Sequence, residues 1–365
     1  MKWSSIKLIK GGIDIMKYRW LFLLLAVVLA VSVVAVGCGE EEEATPGATE
    51  TPEPTVAPTL TLSYLNWGSS QFQSEVAQIM IEEGYGYPVE FSPAATIPTL
   101  EAMRAGDIDV ILEIWYENQQ QAWDDAVASG LVVNLGTLND DNWQSCFVVP
   151  TYVIEGDAEL GIDPMAPNLS SVSDLSQAEY ISLFADPEDP GKGSIVTCVA
   201  GWECENINAQ KLVAYGLDDD YNILVPGSQD ALFASLEGAY EKGDPWLGYM
   251  WGPTVISGAL DLTLLEEPPY DEVVWADNKG CAYPSVQLLV GASVDFENTA
   301  PDVAEMLEKW VMNTETLGEA LAYMDATGGE PYDAAVWFLK NRESTWTEFV
   351  PSDVADKIKD AVAEL

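Results

Sequence analysis

Four tryptophans of this 365-residue chain lie where their side chains could surround a ligand. Most of its 13 tryptophans are predicted to be core residues, among them Trp123, Trp310 and Trp337, which fall in predicted helices beside other apolar residues. The four that could surround a ligand each lie at the end of a predicted strand or in a turn, and they are Trp67, Trp115, Trp202 and Trp251. Ligands of open α/β sheets bind beyond the carboxyl ends of the strands. Indole faces gathered there form an electron-rich box of the kind that receives a quaternary ammonium group.

Two cysteines bracket the turn that carries Trp202. The segment reads Cys-Val-Ala-Gly-Trp-Glu-Cys from Cys198 to Cys204. Cysteines six positions apart in an exported protein can close a tight loop, which would fix the indole and the backbone that follows it. We therefore predict a Cys198–Cys204 disulfide; the alternative is a pair of free, buried cysteines.

Composition limits the chemistry of the chain. It has no histidine, which excludes Ser-His-Asp and Cys-His hydrolases and every zinc site with imidazole ligands. Its formal net charge of −45 disfavours nucleic acid and anionic ligands and favours cations or zwitterions, although the same charge is typical of proteins that stay soluble in salty surroundings. There is no glycine-rich phosphate loop. We expect no catalytic residue, no metal and no cofactor.

The N-terminus has the pattern of an export signal. Basic residues precede an apolar stretch from Leu21 to Val36, and the stretch ends at Ala-Val-Gly-Cys38. This pattern looks like a bacterial lipoprotein signal over residues 1–37, with Cys38 as the lipidated first residue of an extracytoplasmic protein anchored to the cell membrane. The alternative is an uncleaved membrane helix. Residues 38–59 are rich in Glu, Thr and Pro and are predicted to be a disordered acidic tether.

From Leu60 onward, predicted strands alternate with predicted helices, which indicates an α/β fold with largely parallel strands. The predicted strands begin at Leu60, Val89, Val110, Phe147, Ser194, Asn222, Leu247 and Ser285. The predicted helices cover residues 71–83, 97–105, 207–215, 230–241, 303–312, 316–324, 332–341 and 354–365. The serines after Trp67 are expected to cap the first of these helices.

Several segments, in order along the chain, resemble the glycine betaine/proline betaine-binding proteins of ABC importers. The most specific is Cys-…-Gly-Trp-x-Cys at 198–204, which an Asn-containing helix and Ala-Tyr-Gly-Leu at 214–217 follow. The other segments lie at 84–89, 105–115, 240–245, 249–253 and 282–285. The resemblance runs from about residue 60 to the C-terminus.

This resemblance implies a fold and partners. The fold is a two-lobed, type II-like periplasmic-binding-protein fold whose lobes are joined by two crossover strands that act as a hinge. Lobe I would combine residues 60–147 with 282–365, and lobe II would be residues 148–281. Cys146 and Cys281 lie at the two crossing points, so a second disulfide is predicted between them. The implied partners are a small zwitterionic or cationic ligand and the permease and ATPase subunits of an importer, with no nucleic acid.

The resemblance also implies roles for individual residues. The cage around the ligand's trimethylammonium group would be formed by Trp115, Trp202 and Trp251, with Trp67 as a candidate fourth wall. The backbone N–H groups of Glu203 and Cys204 would hold the carboxylate of glycine betaine or proline betaine. Close relatives have a histidine four residues after the first cage tryptophan, where this chain has Gln119. A neutral glutamine would replace a charge-assisted contact with a weaker one.

Two other functions are compatible with parts of the sequence. The same fold could bind choline, carnitine or another small cation, which an acidic neighbour of the cage would favour. Glu113 and Glu117 flank Trp115, but they share its face only if the strand continues unbent. A secreted carbohydrate-active enzyme would use tryptophan platforms and paired carboxylates. Among 60 acidic residues such pairs arise by chance, and the ordered resemblance argues against this function.

Overall fold

The computed structural model describes residues 57–365, which contain nine strands of a single sheet. The strands are β1 Leu60–Leu65, β2 Val89–Ala94, β3 Val110–Trp115, β4 Val132–Pro150, β5 Gly193–Val196, β6 Tyr221–Leu224, β7 Gly248–Gly252, β8 Leu262–Leu264 and β9 Val286–Ser293. The predicted export signal, Cys38 and nearly all of the predicted tether lie outside the described residues. None of the helices within residues 57–365 combines the length and the apolar composition that a membrane crossing requires.

The sheet has two halves that share β4. In the first half the strand order is β2-β1-β3-β9, and β9 pairs with the first part of β4. In the second half β7 and β8 pair with the last part of β4, and β5 and β6 follow β7. The change of partner falls between Asn142, which is opposite Val286, and Trp143, which is opposite Gly252.

The predicted α/β fold is confirmed, but the pairing is parallel only within each half. β1 pairs in parallel with β2 and β3, and β5 with β6 and β7. Every antiparallel pairing between two strands of the described residues involves β4 or β9. Parallel neighbouring strands require a crossover connection between them, usually a helix. The antiparallel pairings of β4 and β9 do not have this requirement.

Helices alternate with the strands along the chain and make up most of the segment that follows β9. Those of the described residues are α1 Gly68–Ile79, α2 Thr96–Ala105, α3 Gln120–Ala128, α4 Thr151–Glu155, α5 Ala178–Leu183, α6 Glu203–Ala214, α7 Gln229–Lys242, α8 Val255–Ala259, α9 Glu272–Asp277, α10 Phe296–Thr299, α11 Pro301–Glu308, α12 Thr314–Thr327, α13 Pro331–Asn341, α14 Glu343–Trp346 and α15 Ser352–Glu364. A π-helical turn, Met80–Tyr85, extends α1, and 3-10 turns lie at Tyr116–Asn118 and Val172–Ser176.

Two local predictions differ from the structure. The first helix begins at Gly68 and has Trp67 at its N-cap without a side-chain cap, because the Ser69 hydroxyl donates to Glu113 instead. The strand predicted from Phe147 is only the end of β4. The Asn-Asp-Asp-Asn segment at 139–142 interrupts the apolar alternation of β4, and its buried Asn139 amide is satisfied by the carbonyl of Met312 at 3.0 Å.

The predicted core tryptophans are not equally buried. Trp123 and Trp310 are 2% and 1% exposed, as predicted. Trp337 is only half-buried, so its assignment to the core is wrong. The buried face of α13 is formed by Pro331, Ala334, Ala335, Phe338 and Leu339. Trp337 is left at the edge of this face, where it stacks on Tyr323 at 4.9 Å between centroids.

The predicted Cys146–Cys281 disulfide is wrong, because both thiols are free and buried. They belong to different apolar clusters: Cys146 packs in the core of the second half, whereas Cys281 packs with Trp275 and Tyr283. The carbonyl of Cys281 accepts a hydrogen bond from Lys211, whose ammonium group also pairs with a buried glutamate. Burial raises the pKa of the Cys146 thiol, so it remains protonated.

Candidate ligand-binding site

The four tryptophans converge on one cavity. They come from both halves of the sheet: two follow or end strands β1 and β3, and two lie at the start of α6 and on β7. The cavity is lined by Trp67, Thr96, Trp115, Asn118, Trp202, Glu203, Cys204, Tyr249 and Trp251. The structure therefore brings together every ligand-binding residue predicted from the sequence except Gln119.

Trp202 is the central wall of this cavity. Its ring centroid lies 5.3 Å from that of Trp67 and 5.3 Å from that of Trp251, with interplanar angles of 75° and 79°. These edge-to-face contacts hold neighbouring walls nearly at right angles, a geometry that aromatic quadrupoles favour. Trp251 packs against Phe233 of α7 and against Tyr249 of β7, with ring centroids 5.4 and 5.8 Å away.

The polar edges of three of the indoles point to fixed acceptors. Trp202 Nε1 donates to Asn66 Oδ1 at 2.7 Å. Trp67 Nε1 and Trp115 Nε1 both donate to Glu113 Oε1, at 2.7 and 3.0 Å. A buried indole N–H needs such a partner, and with the edges held in this way the apolar ring faces are left to line the cavity.

Glu113 is a buried carboxylate behind the cage. It is 1% exposed, and besides the two indoles it accepts hydrogen bonds from Ser69 Oγ at 3.0 Å and Gln73 Nε2 at 2.7 Å. Burial raises the pKa of Glu113 from its ordinary value, and the four hydrogen bonds oppose that rise. The position of Glu113, which the sequence left open, is thus on the N–H edge of Trp115.

Glu117 and Gln119 point elsewhere because β3 ends at Trp115. Glu117 lies in the 3-10 turn, and its carboxylate accepts from the backbone N–H of Gln287 at 2.8 Å. Gln119 is at the N-cap of α3 and lines a neighbouring groove, which shares Asn118 and Glu203 with the cavity; it does not line the cavity itself. The 3-10 turn Tyr116–Asn118 redirects the chain after Trp115, and it is Asn118 that lines the cavity.

Asn118 is held in place by a short amide network. Gln144 Nε2 donates to Asn118 Oδ1 at 2.7 Å, and the Tyr249 hydroxyl donates to Gln144 Oε1 at 3.0 Å. Because Gln144 lies on the shared strand β4, this network links the turn after β3 to the start of β7.

The turn before α6 is closed by the predicted Cys198–Cys204 disulfide, whose Cα atoms are 6.1 Å apart. Gly201 has φ +84°, a conformation that favours glycine, and its N–H donates to Glu205 Oε2 at 2.9 Å. Helix α6 then begins at Glu203. Within the described residues neither the Glu203 nor the Cys204 N–H has a carbonyl acceptor. Such first-turn donors, at the positive end of the helix dipole, suit an anionic oxygen.

Three residues of the cavity were not predicted from the sequence. Tyr249 could have been found, since it lies two residues before Trp251 on one strand and so shares its face. Thr96 begins α2 and Asn118 lies in a short turn, and neither position has a sequence pattern that marks it.

Residues 58–341 match the family described as the substrate binding domain of the ABC-type glycine betaine transport system. The chain belongs to this family. Among curated proteins, it is 28% identical over 312 residues to the trimethylamine N-oxide-binding protein of Pelagibacter ubique. The aligned region covers 83% of this chain and 92% of the relative.

Solved structures of similar proteins share the fold of this family member. A choline-binding protein of an ABC transporter, in complex with choline, has a TM-score of 0.66 at 18% identity, over 83% of this chain and 98% of that one. Lactococcal OpuAC, closed on glycine betaine, has a TM-score of 0.63 at 20% identity, over 80% of this chain and all of that one. The predicted periplasmic-binding-protein fold is therefore confirmed. The family consists of substrate-binding domains of transporters, so the carbohydrate-active enzyme is set aside.

Proposed function

We propose that this family member captures glycine betaine, or a similar trimethylammonium solute such as proline betaine, outside the cytoplasm and delivers it to the permease and ATPase subunits of an ABC importer. The observation that carries the proposal is the cavity itself. Four indoles line it, a buried carboxylate accepts from the N–H edges of two of them, and none of its lining residues is a lysine or an arginine. Such a box attracts a cation that carries methyl groups and has no N–H to donate.

The polar end of the ligand is assigned to the N-terminus of α6. A carboxylate directed to Glu203 and Cys204 would receive the two N–H groups that have no other acceptor in the described chain. This supports a betaine rather than choline, which has no carboxylate. An N-oxide oxygen could take the same place, so trimethylamine N-oxide is a second candidate; the Pelagibacter relative named for that ligand supports it.

We assign one lobe of the protein to each half of the sheet. Lobe I combines residues 60–147 with 282–365, and lobe II is residues 148–281. Support comes from contacts that cross the cavity: Trp202 donates to Asn66, and the Gly68 N–H donates to Gln229 Oε1 at 3.1 Å. Closure about β4 would then bury the ligand between the halves.

Titration of the purified protein with a ligand panel tests the proposal. Glycine betaine is expected to bind in the micromolar range, which corresponds to about 8 kcal/mol. Indole faces supply about 0.5–2 kcal/mol each, so the cage needs the α6 donors as well, and removing either the methyl groups or the carboxylate should weaken binding. Calorimetry would compare glycine betaine, proline betaine, trimethylamine N-oxide, choline, carnitine, dimethylglycine and a sugar. Binding of the sugar with no response to any methylated amine would contradict the proposal.

We also assign lipid attachment to Cys38, with residues 1–37 as the signal peptide and 38–59 as the tether. The support is the apolar run that ends in Ala-Val-Gly-Cys38. In an expressing bacterium, Cys38→Ala is expected to leave the precursor uncleaved or to release the protein from the membrane fraction. Mass spectrometry of the N-terminal peptide is the measurement. Cleavage at another position with an unmodified Cys38 would contradict the anchor.

A further inference from the structure

Glu113 is a buried carboxylate that has no positively charged partner within the described residues. Its carboxylate is almost fully buried, and all four groups that donate to it are neutral. Within residues 57–365 no lysine or arginine forms an ion pair with it. Buried charges are normally paired, and the two indoles that donate to Glu113, Trp67 and Trp115, also line the cavity in which a cationic ligand would lie.

The hydrogen bonds around Glu113 favour its ionised form. Indole N–H groups can only donate. The amide of Gln73 is also oriented as a donor, because Trp310 Nε1 donates to Gln73 Oε1 at 3.1 Å and so directs the amide nitrogen toward Glu113. A carboxylate that accepts several hydrogen bonds remains charged more easily than one in a purely apolar site.

We propose that Glu113 is the countercharge of the bound ligand and makes the cage selective for a positively charged group over a neutral group of the same shape. The inference rests on the proposed function. A cation within about 6 Å of the Trp67 and Trp115 centroids would lie within roughly 8 Å of the carboxylate, where Coulomb attraction in a partly buried site changes an affinity about 10- to 100-fold. Glu113 would thus act through charge as well as by orienting the two indoles.

A ligand pair that differs only in charge separates these two roles. Glycine betaine and 3,3-dimethylbutanoate have the same shape, with a positively charged nitrogen in the first and a neutral carbon in the second. In Glu113→Gln, glycine betaine is expected to bind about 10- to 100-fold more weakly. The neutral-headed isostere, a weak ligand of the unsubstituted protein, should bind no worse, because a repelling charge has been removed. An equal loss for both ligands would mean that Glu113 only positions the indoles, and would overturn the inference.

A second variant keeps the charge and the hydrogen bonds while it moves the carboxylate. This variant combines Glu113→Gln with Gln73→Glu. The glutamine introduced at position 113 can accept from both indoles and donate to the glutamate introduced at position 73. That glutamate can in turn accept from Trp310 Nε1, as the native Gln73 side chain does. Because the charge lies one side chain farther from the cage, glycine betaine affinity should recover at least about threefold over the single variant. No recovery in a variant with an unchanged melting temperature would contradict the countercharge.

These measurements also separate the inference from the proposed function. If the unsubstituted protein binds no methylated ammonium compound in calorimetry, the proposed function fails and the inference fails with it. If the unsubstituted protein binds glycine betaine and Glu113→Gln binds it equally well, only the inference fails.

Discussion

Replacement of Trp202 by alanine is expected to weaken glycine betaine binding about a hundredfold. The indole supplies one face of the cage, worth up to about 2 kcal/mol for a desolvated cation. It also holds Trp67 and Trp251 at 5.3 Å between centroids, and each such edge-to-face contact contributes about 0.5–1.5 kcal/mol. Trp251→Ala, which removes a terminal wall, should cost at least about tenfold.

Trp337→Ala is the matched control, because that indole is half-buried on α13 and does not line the cavity. It should lower the melting temperature slightly, through the lost stacking on Tyr323, and leave the affinity unchanged. Calorimetric titration of the three variants with glycine betaine is the measurement. Undiminished affinity in both Trp202→Ala and Trp251→Ala would place the ligand somewhere other than the cage.

The second large effect is expected from a proline at the first position of α6. Glu203→Pro removes one of the two N–H groups assigned to the ligand carboxylate. Proline is well tolerated at a first helical position, and Trp202, with φ −83° and ψ 148°, already has the extended conformation required before proline. A hydrogen bond to a charged group contributes about 1.5–3 kcal/mol, so glycine betaine binding should weaken about 10- to 100-fold.

Glu203→Ala is the control for this substitution, since it removes the same side chain and keeps the N–H. Its affinity for glycine betaine should stay within a few-fold of that of the unsubstituted protein, and choline, which has no carboxylate, should be insensitive to the difference between the two variants. If Glu203→Pro and Glu203→Ala bind glycine betaine equally, the backbone donor at this position does not hold the carboxylate.

The positions of the tryptophans were predictable because strand ends can be recognised from short-range patterns. Apolar alternation locates β1, β3 and β7, and parallel strands that alternate with helices have their carboxyl ends on one edge. The Cys198–Cys204 bond was predictable because the two cysteines bracket a short glycine-containing turn in a chain with an export pattern, where they can close a tight loop.

Features that depend on a single bend or on a distance through space were not predictable. Whether Glu113 lies behind the cage depends on where β3 ends. The chain continues after β3 as a 3-10 turn and not as a strand, and for this reason Asn118, and not Gln119, lines the cavity. Cys146 and Cys281 are separated by packing in different clusters, which spacing along the chain cannot reveal. The polar segment at 139–142 hides the first part of β4, because its buried amides are satisfied by tertiary contacts.

A crystal structure with glycine betaine tests the central claim most directly. The account predicts the ammonium nitrogen within about 6 Å of the ring centroids of at least three of the four cage tryptophans, with the carboxylate at hydrogen-bond distance from the Glu203 and Cys204 N–H groups. A ligand bound outside this cavity, or one with its carboxylate among the indoles and its methyl groups toward α6, would contradict it.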